Sequence, residues 1–576
     1  MELNLVYRYT DRVKREKLSL GQRITTDILR LSFTKGDKDL QEYCALLTFN
    51  EEFTLLDFYV EIPHSFSKED RVLLNGWQTW TETREWSIYD KNPSLNPLFN
   101  FLLGSYGDYR FTDYKNSLNS WSYSYLRKEN NYLFFGGLQE RDGYIKISYY
   151  PKENKIRISK DACGLTKGSG ILTLKFTILE GKEEEVFSNY FNILGYPLKG
   201  GERVFGWTSW YNYYTSISEK IILENLENFS KGKVPIDIFQ IDDGYQQQVG
   251  DWLEVNDKFP NGMKYIRDKI AEKGYKAGIW IAPFVCNKKS RIYQKHYNWV
   301  AKDRKGKPIV AGFNPLWGGF FYALDFYNPQ VQEYLREVFS TVFHKWNYDM
   351  VKLDFLYAVT LLKYKGKTKG EMMQDAMEFL RECGKDKLLL GCGVPLSSSY
   401  NLVDYCRIGP DVGLTWEDRF LKAIHYKERI STINSLQNTL WRRWLNNRVF
   451  KNDPDVFIIR EGNQKMTLNE RKVLLYLNIL LGGLIFTSDN IGEYDETQLD
   501  LYLSTFKYKN AKILEIVIDS LVYIEVKTEQ GKELFIFNLG DEKREVKLPQ
   551  ALQRYVTLVP RELPPRNVIQ IPIKDK

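Results

Sequence analysis

From residue 1 to about 195 apolar and polar positions alternate over short runs. LRLSFTK (29–35), CALLTFN (44–50), EFTLLDFYVEI (52–62), YLFFGGL (132–138), GYIKISYY (143–150), KIRISK (155–160) and GILTLKFTIL (170–179) are rich in β-branched and aromatic residues. Each predicts a strand. Polar turns such as Lys35-Gly-Asp-Lys38 and Arg141-Asp-Gly143 separate them, and few helical periods intervene. The pattern predicts an all-β unit, a sandwich, over 1–195.

GYPLKGGER (195–203) carries Gly and Pro punctuation and reads as a connection. Beyond it short apolar runs alternate with amphipathic ones. Strands are predicted at VFGWTSW (204–210), IDIFQIDD (236–243), KAGIWIAP (276–283), YDMVKLDF (348–355), LLLGCGV (388–394), YCRIGPDV (405–412), DVFIIR (455–460) and LIFTSD (484–489). SEKIILENLENFSK (218–231) and NGMKYIRDKIAEKG (261–274) read as helices between them. In NPQVQEYLREVFSTVFHKW (328–346) Asn328 is placed to cap, Pro329 suits the first helical position, and Val331, Leu335, Phe339, Phe343 and Trp346 share a face. Eight β/α units over about 300 residues predict a closed (β/α)8 TIM barrel spanning 196–507. A doubly wound open sheet is the alternative, but no GxGxxG follows a strand. From 508 to 576, SLVYIEVKT, GKELFIFNLG, KREVKLP and RYVTLVP predict a small C-terminal antiparallel β domain. The expected fold is thus multidomain, α/β plus all-β.

Composition narrows the reading. The 576 residues are 43% hydrophobic and 27% charged, as in ordinary globular proteins. A net charge of +7 arises from 81 basic and 74 acidic residues with no basic arm, so nucleic acid is not an expected partner. The run Lys363–Lys369 reads as a solvated loop. The six cysteines are scattered without a CxxC pair and the four histidines show no ligand spacing, so neither a disulfide framework nor a metal site is expected. VLLYLNILLGGLIFT (473–487) is too short for a confident membrane span and reads as a buried barrel helix entering a strand. The N-terminal stretch shows no apolar signal core, which makes the cytoplasm the expected location. Aromatics reach 15%, with 14 Trp and 39 Tyr. Such rings serve equally as sandwich core and as platforms for the apolar faces of sugars.

A barrel collects its chemistry at the C-terminal ends of its strands. There the sequence places Trp207 and Trp210, Asp242 and Asp243, Trp280, Lys352 and Asp354, Cys392, Arg407 and Asp411, and Asp489. Glycoside cleavage needs two carboxyl groups flanking one bond, one ionised and one protonated. In VKLDF, Lys352 and Asp354 are two apart and share a face, the lumen, while Val351, Leu353 and Phe355 suit the helix-facing side. A cation beside a carboxylate favours the ionised form that a nucleophile needs; a structural ion pair fits the same spacing. Asp411 follows Arg407 across Gly409-Pro410 on a loop at the mouth, fit for a general acid or for a plain surface pair. Asp242 and Asp243 suit recognition of sugar hydroxyls, a metal, or a helix cap. Asp325 in YALDF is a rival nucleophile, ranked lower because it precedes the Asn328-Pro329 helix start.

GWTSWY (206–211), FQIDDGY (239–245), GDWLEVNDKFPNGM (250–263), GIWIAPF (278–284), YALDF (322–326), VKLDF (351–355), GCGVPL (391–396) and RIGPDV (407–412) resemble glycoside hydrolase family 36, the microbial α-galactosidases. NDPD (452–455), TSDN (487–490) and LLNGWQTW (73–80) extend the resemblance over most of the chain. It implies a retaining, exo-acting double displacement on terminal α-1,6-linked galactose, as in melibiose and raffinose, with no metal or organic cofactor. Asp354 would be the nucleophile and Asp411 the acid/base. Asp242 and Asp243 would bind the 4- and 6-hydroxyls, and Lys352 and Arg407 neighbouring hydroxyls. Cys392 would lie by the 2-hydroxyl, and Trp207 and Trp280 would line the apolar faces. Trp77 or Trp80 would reach in from the N-terminal domain. α-Galactoside substrates are the expected partners, and a homo-oligomer is allowed for. Three other readings stay open: an α-N-acetylgalactosaminidase, a raffinose-synthase-like galactosyl transferase, and a sugar-binding protein on a catalytically dead barrel.

Overall fold

The computed structural model describes residues 1–36, 41–364 and 366–573. Asp37 and Lys38 of the expected first turn, and Lys365 of the expected solvated loop, lie outside the described residues. Within that loop Lys369 pairs with Asp161 at 3.0 Å, so part of the run is spent on an ion pair.

Residues 2–181 build two antiparallel sheets of seven and eight strands. Their inward positions meet in one core: Leu5, Phe58, Val60, Ile147 and Ile158 from one sheet, Leu31, Phe33, Leu47, Leu174 and Phe176 from the other. Strand Phe53–Pro63 shows why the pattern was readable, since Phe53, Leu55, Phe58 and Val60 are buried while their neighbours are less so. All seven strands expected here form. An N-terminal hairpin, Glu2–Tyr9 with Arg12–Ser19, adds to them; its second strand carries charges that hid it. A helix, Glu183–Ile193, was not expected; three glutamates occupy its first turn, and Val186, Phe187, Tyr190 and Phe191 are buried at helical spacing.

Parallel strands then form at Val204–Thr208, Ile238–Ile241, Lys276–Ile281, Met350–Leu353, Leu388–Gly391, Tyr405–Arg407, Lys451–Asp453, Val456–Phe457 and Leu484–Thr487, all in one sheet. The two end strands of that sheet, Lys451–Asp453 and Val456–Phe457, are separated in the chain only by Pro454 and Asp455. They are two halves of one pass, pairing with the sixth strand on one side and the eighth on the other. The sheet therefore closes on itself as a TIM-like barrel of eight passes. The seventh strand is thus displaced from the expected DVFIIR run. It starts earlier, breaks where proline lacks a ladder donor, and ends before Ile458.

The helix after the third pass runs Pro329–Ser340, with Asn328 accepting from Gln330 N–H at 3.0 Å. Its last turn widens to a π-helix over Thr341–Lys345. Between the third strand and this helix a three-stranded antiparallel flap is inserted: Val285–Asn287, Val310–Asn314 and Gly319–Ala323. Helix Leu468–Leu481, buried along most of its length, delivers the eighth strand as its apolar sequence implied.

The last region is a four-stranded antiparallel sheet, Lys512–Ile518, Val522–Thr528, Gly531–Asn538 and Asn567–Ile573. KREVKLP contributes only Arg544–Glu545. RYVTLVP is not a strand: Gln550–Leu558 is 3-10 helical, with Leu552 and Tyr555 buried three apart and Val556 exposed. The i, i+3 spacing outweighs the β-branched composition there.

Candidate active site

On the fourth strand Lys352 and Asp354 do face the same way, with Lys352 Nζ 3.9 Å from Asp354 Oδ2 and 2.8 Å from Asp242 Oδ2. Burial opposes the charge on Lys352, but Asp242 and Asp354 outweigh it and raise the ammonium above its ordinary range. Trp280, at the end of the third strand, donates its indole N–H to Asp354 Oδ2 at 3.0 Å. The other oxygen accepts from Phe355 N–H at 2.9 Å. The Asp354 carboxylate is thus oriented from both sides.

Phe355 departs from the expected helix-facing side. The strand ends at Leu353, and Phe355 takes φ +54, which swings its ring against Trp80, Trp317 and Phe321.

Strand alternation would send Asp242 and Asp243 to opposite faces, but the strand stops at Ile241. Asp242 accepts from Gln240 at 2.9 Å and holds Lys352. Asp243 accepts from Gln246 at 2.6 Å and from the Trp317 indole at 2.7 Å. Burial pushes the Asp243 carboxyl up to about 6, with the charges of Asp242 and Asp354 adding to it against these two hydrogen bonds.

Opposite stands the sixth strand. Arg407, buried, reaches Asp411 at 2.9 Å, Asp455 at 2.8 Å and Asp453 at 3.4 Å. Asp411 is the open member, its side chain 32% exposed against 10% for Asp354. Cys392 lies within electrostatic reach of Asp354, Asp411, Arg407 and Lys352, and burial pushes its thiol well up. These residues converge on one mouth.

The two N-terminal tryptophans separate. Trp77 packs on Phe111 and Tyr144, both from the N-terminal region. Trp80 packs on Phe355 and Tyr357 and sends its indole N–H to Cys392 Sγ at 3.3 Å. The segment carrying it is pinned by fully buried Arg442. That guanidinium donates to the carbonyls of Gly76, Gln78 and Thr79, to Ile408, and to the Asn75 side chain, at 2.6 to 3.1 Å.

Trp207 does not join this group. Thr208 Oγ1, on the lumen side, accepts from Gln240, so its neighbour Trp207 points the other way. It stacks on Phe239 at 4.3 Å in the strand–helix layer and donates to the Asp489 carbonyl at 3.1 Å. Asp489 is itself bound to Arg460 and to the N–H groups of Ile459 and Arg460, a structural tie at the strand end. Asp325 lies beyond the flap and accepts from Tyr327 N–H at 3.1 Å in the turn before the Pro329 helix, away from the two carboxyl clusters.

Three contributors went unnoticed in the sequence. Trp317 is brought in by the flap, on the turn Asn314-Pro-Leu-Trp-Gly-Gly; Asn314 caps that turn and Gly318 takes φ +81. A lone tryptophan followed by two glycines in a loop was the available signal. Gln246 and Asp455 carry no signal beyond their short motifs.

Comparison with known proteins agrees with this geometry. Residues 204–381 match the Melibiase family. Among curated proteins, α-galactosidase from Escherichia coli is 22% identical over 170 residues, covering 28% of this chain and 23% of that protein. α-Galactosidase AgaA from Geobacillus stearothermophilus is 27% identical over 149 residues, covering 25% and 19%. The matched stretches thus span about a fifth of the length of these relatives. Among solved structures, TtGalA, an α-galactosidase from Thermus thermophilus in complex with p-nitrophenyl α-D-galactopyranoside, superposes with a TM-score of 0.69 at 26% identity, over 89% of this chain and 98% of that one. AgaA superposes at 0.60 and 13% identity, over 94% and 82%. Barrel and mouth chemistry agree with these likenesses: the chain carries a Melibiase-like segment over 204–381 and shares its fold with α-galactosidases of glycoside hydrolase family 36.

Proposed function

We propose that the protein is a retaining, exo-acting α-galactosidase that removes terminal α-D-galactose from α-1,6-linked galactosides of the melibiose and raffinose type. The observation that carries this reading is the pairing of two differently held carboxyls at one mouth. Asp354 is enclosed by Trp280, Lys352 and the Phe355 amide; Asp411 is open to solvent beside Arg407. Asp354 attacks the anomeric carbon as Asp411 gives its proton to the departing oxygen. Asp411 then takes a proton from water, which displaces Asp354 and releases galactose. Lys352 and Asp242, bonded to each other, and Asp243 present charged partners to sugar hydroxyls. Trp280, Trp317 and Trp80 supply the apolar walls, and Cys392 the small surface beside the 2-hydroxyl. TtGalA and AgaA have been solved with stachyose and raffinose respectively, which supports the substrate class.

The Trp80–Cys392 contact favours galactose over N-acetylgalactosamine, because it closes the side where a 2-acetamido group needs room. We further propose a division into a sandwich (1–195), a catalytic barrel (196–507) and a C-terminal sheet domain (508–576). A cytoplasmic location is likewise proposed; it draws support from six free thiols, one of them exposed. Among the described residues no helix is long and apolar enough to cross a membrane.

The test is hydrolysis of p-nitrophenyl α-D-galactopyranoside beside its N-acetyl, α-glucosyl and β-galactosyl analogues. Selective release from the α-galactoside is the expected result. Release from none, by folded protein, would point to transfer or to a dead barrel.

A further inference from the structure

The seventh barrel strand breaks at Pro454, and the next residue, Asp455, takes φ +77, a conformation uncommon for a residue with a side chain. Such a backbone is kept only where its surroundings fix it. The buried Asp455 carboxylate spends both oxygens on the mouth. One oxygen meets Arg407 Nη2 at 2.8 Å. The other accepts from Val412 N–H at 2.8 Å and from the Tyr211 hydroxyl. Its own N–H donates to Asp453 at 2.8 Å. Val412 immediately follows Asp411, and Arg407 holds Asp411 with its other amino group. Asp411 is therefore tied to Asp455 twice, through the shared guanidinium and through the main chain.

We propose that Asp455 is a positioning residue for Asp411, fixing the loop that carries it and balancing the charge of the Arg407 they share. This rests on the reading of Asp411 as the acid/base. The groups facing Asp455 are Arg407 from the sixth strand, Asp453 from the seventh, Asp411 from the intervening loop, and Tyr211 from the turn after the first strand, with Tyr214 beyond. One buried cation thus meets three carboxyls, which cannot all ionise without strong repulsion. Burial accordingly pushes the Asp455 carboxyl up to about 7. Arg407 serves both Asp455 and Asp411, so a change of charge at Asp455 is felt at Asp411 through the shared guanidinium.

Asp455→Asn keeps the shape and deletes the negative charge. Arg407 then bears more fully on Asp411 and favours its ionised form, whereas a general acid must be protonated. The alkaline limb of kcat/KM on melibiose should move about one pH unit towards acid. Activity on melibiose should fall roughly a hundredfold, and on p-nitrophenyl α-galactoside, whose leaving group needs little acid help, by about tenfold or less. Tyr211→Phe removes the donor that stabilises ionised Asp455, so the limb should move the same way by a smaller step. It carries the test if Asp455→Asn fails to fold by near-UV circular dichroism. Equal losses on both substrates with limbs unmoved would overturn the proposal and leave Asp455 as packing. Asp411→Asn is run alongside. Equal losses in that variant would remove the acid/base reading itself, and the proposal with it.

Discussion

Trp80 and Cys392, 312 residues apart in the chain, meet through an indole N–H···Sγ contact of 3.3 Å. Gly393 makes the approach feasible: a Cβ there would stand 2.8 Å from the Trp80 ring, at a backbone φ of +62. Trp80→Ala should raise KM for α-galactosides about tenfold with little change in kcat, the signature of binding lost equally from ground and transition states. Gly393→Ala should do the same more weakly, with a lower melting temperature from strain. An unchanged KM in Trp80→Ala would place Trp80 outside the sugar pocket.

Asp354→Ala should cut turnover on the order of 10³-fold or more, as loss of a nucleophile does. The cavity it opens sits under the Trp280 and Lys352 donors, which remain to hold a small anion. Azide should restore activity and yield β-galactosyl azide, identified by NMR of the product. An intact but unrescued variant would argue that Asp354 only pairs with Lys352.

Asp411→Ala should separate substrates by leaving group. Melibiose should lose roughly 10²- to 10⁴-fold, and p-nitrophenyl α-galactoside far less in the first step. Azide should accelerate the variant without changing the configuration expected of a retaining enzyme. Parallel losses on the two substrates would assign Asp411 to binding.

Asp243 predicts a pH-dependent stability. Its folded carboxyl is pushed up to about 6 from 3.8, so between these pH values the native state binds more protons than the unfolded chain. Stability from this group is therefore lost as pH rises from about 4 to 6, then stays level. Asp243→Asn should recover up to about 3 kcal/mol at neutral pH and almost none near pH 4. The melting-temperature difference between variant and parent should widen with pH while activity falls. A difference independent of pH would show that Asp243 titrates normally.

The fold was legible wherever one face of an element is buried and the other is not. The strand Phe53–Pro63 carries that contrast, whereas barrel strands such as Ile238–Ile241 and Met350–Leu353 are buried on both faces and were legible as short apolar runs alternating with amphipathic helices. Gln550–Leu558 misled because β-branched residues there are exposed and only Leu552 and Tyr555 are anchored. At the site, Lys352 and Asp354 were readable from a spacing of two because the extended pairing carries one residue past the strand, Asp354 N–H donating to the Ile281 carbonyl at 2.9 Å. Phe355 was misassigned because the strand ends before it, and Trp207 because outward and inward positions at a barrel rim look alike in sequence. Trp317 and Trp80 come from a flap and from the N-terminal region, and only tertiary contacts bring them to the mouth.

Arg442 gives the site a history as well as a shape. Its bonds to Gly76, Gln78 and Thr79 join residues 363 to 366 positions apart. Contacts of that separation carry a loop-closure cost that must be met before they are rewarded. The N-terminal sheets emerge first during synthesis, yet the segment bearing Trp80 cannot be locked until helix Thr432–Trp441 has folded and presented Arg442. The mouth therefore takes its final shape only after chain about 360 residues beyond Trp80 has been made and packed back against it.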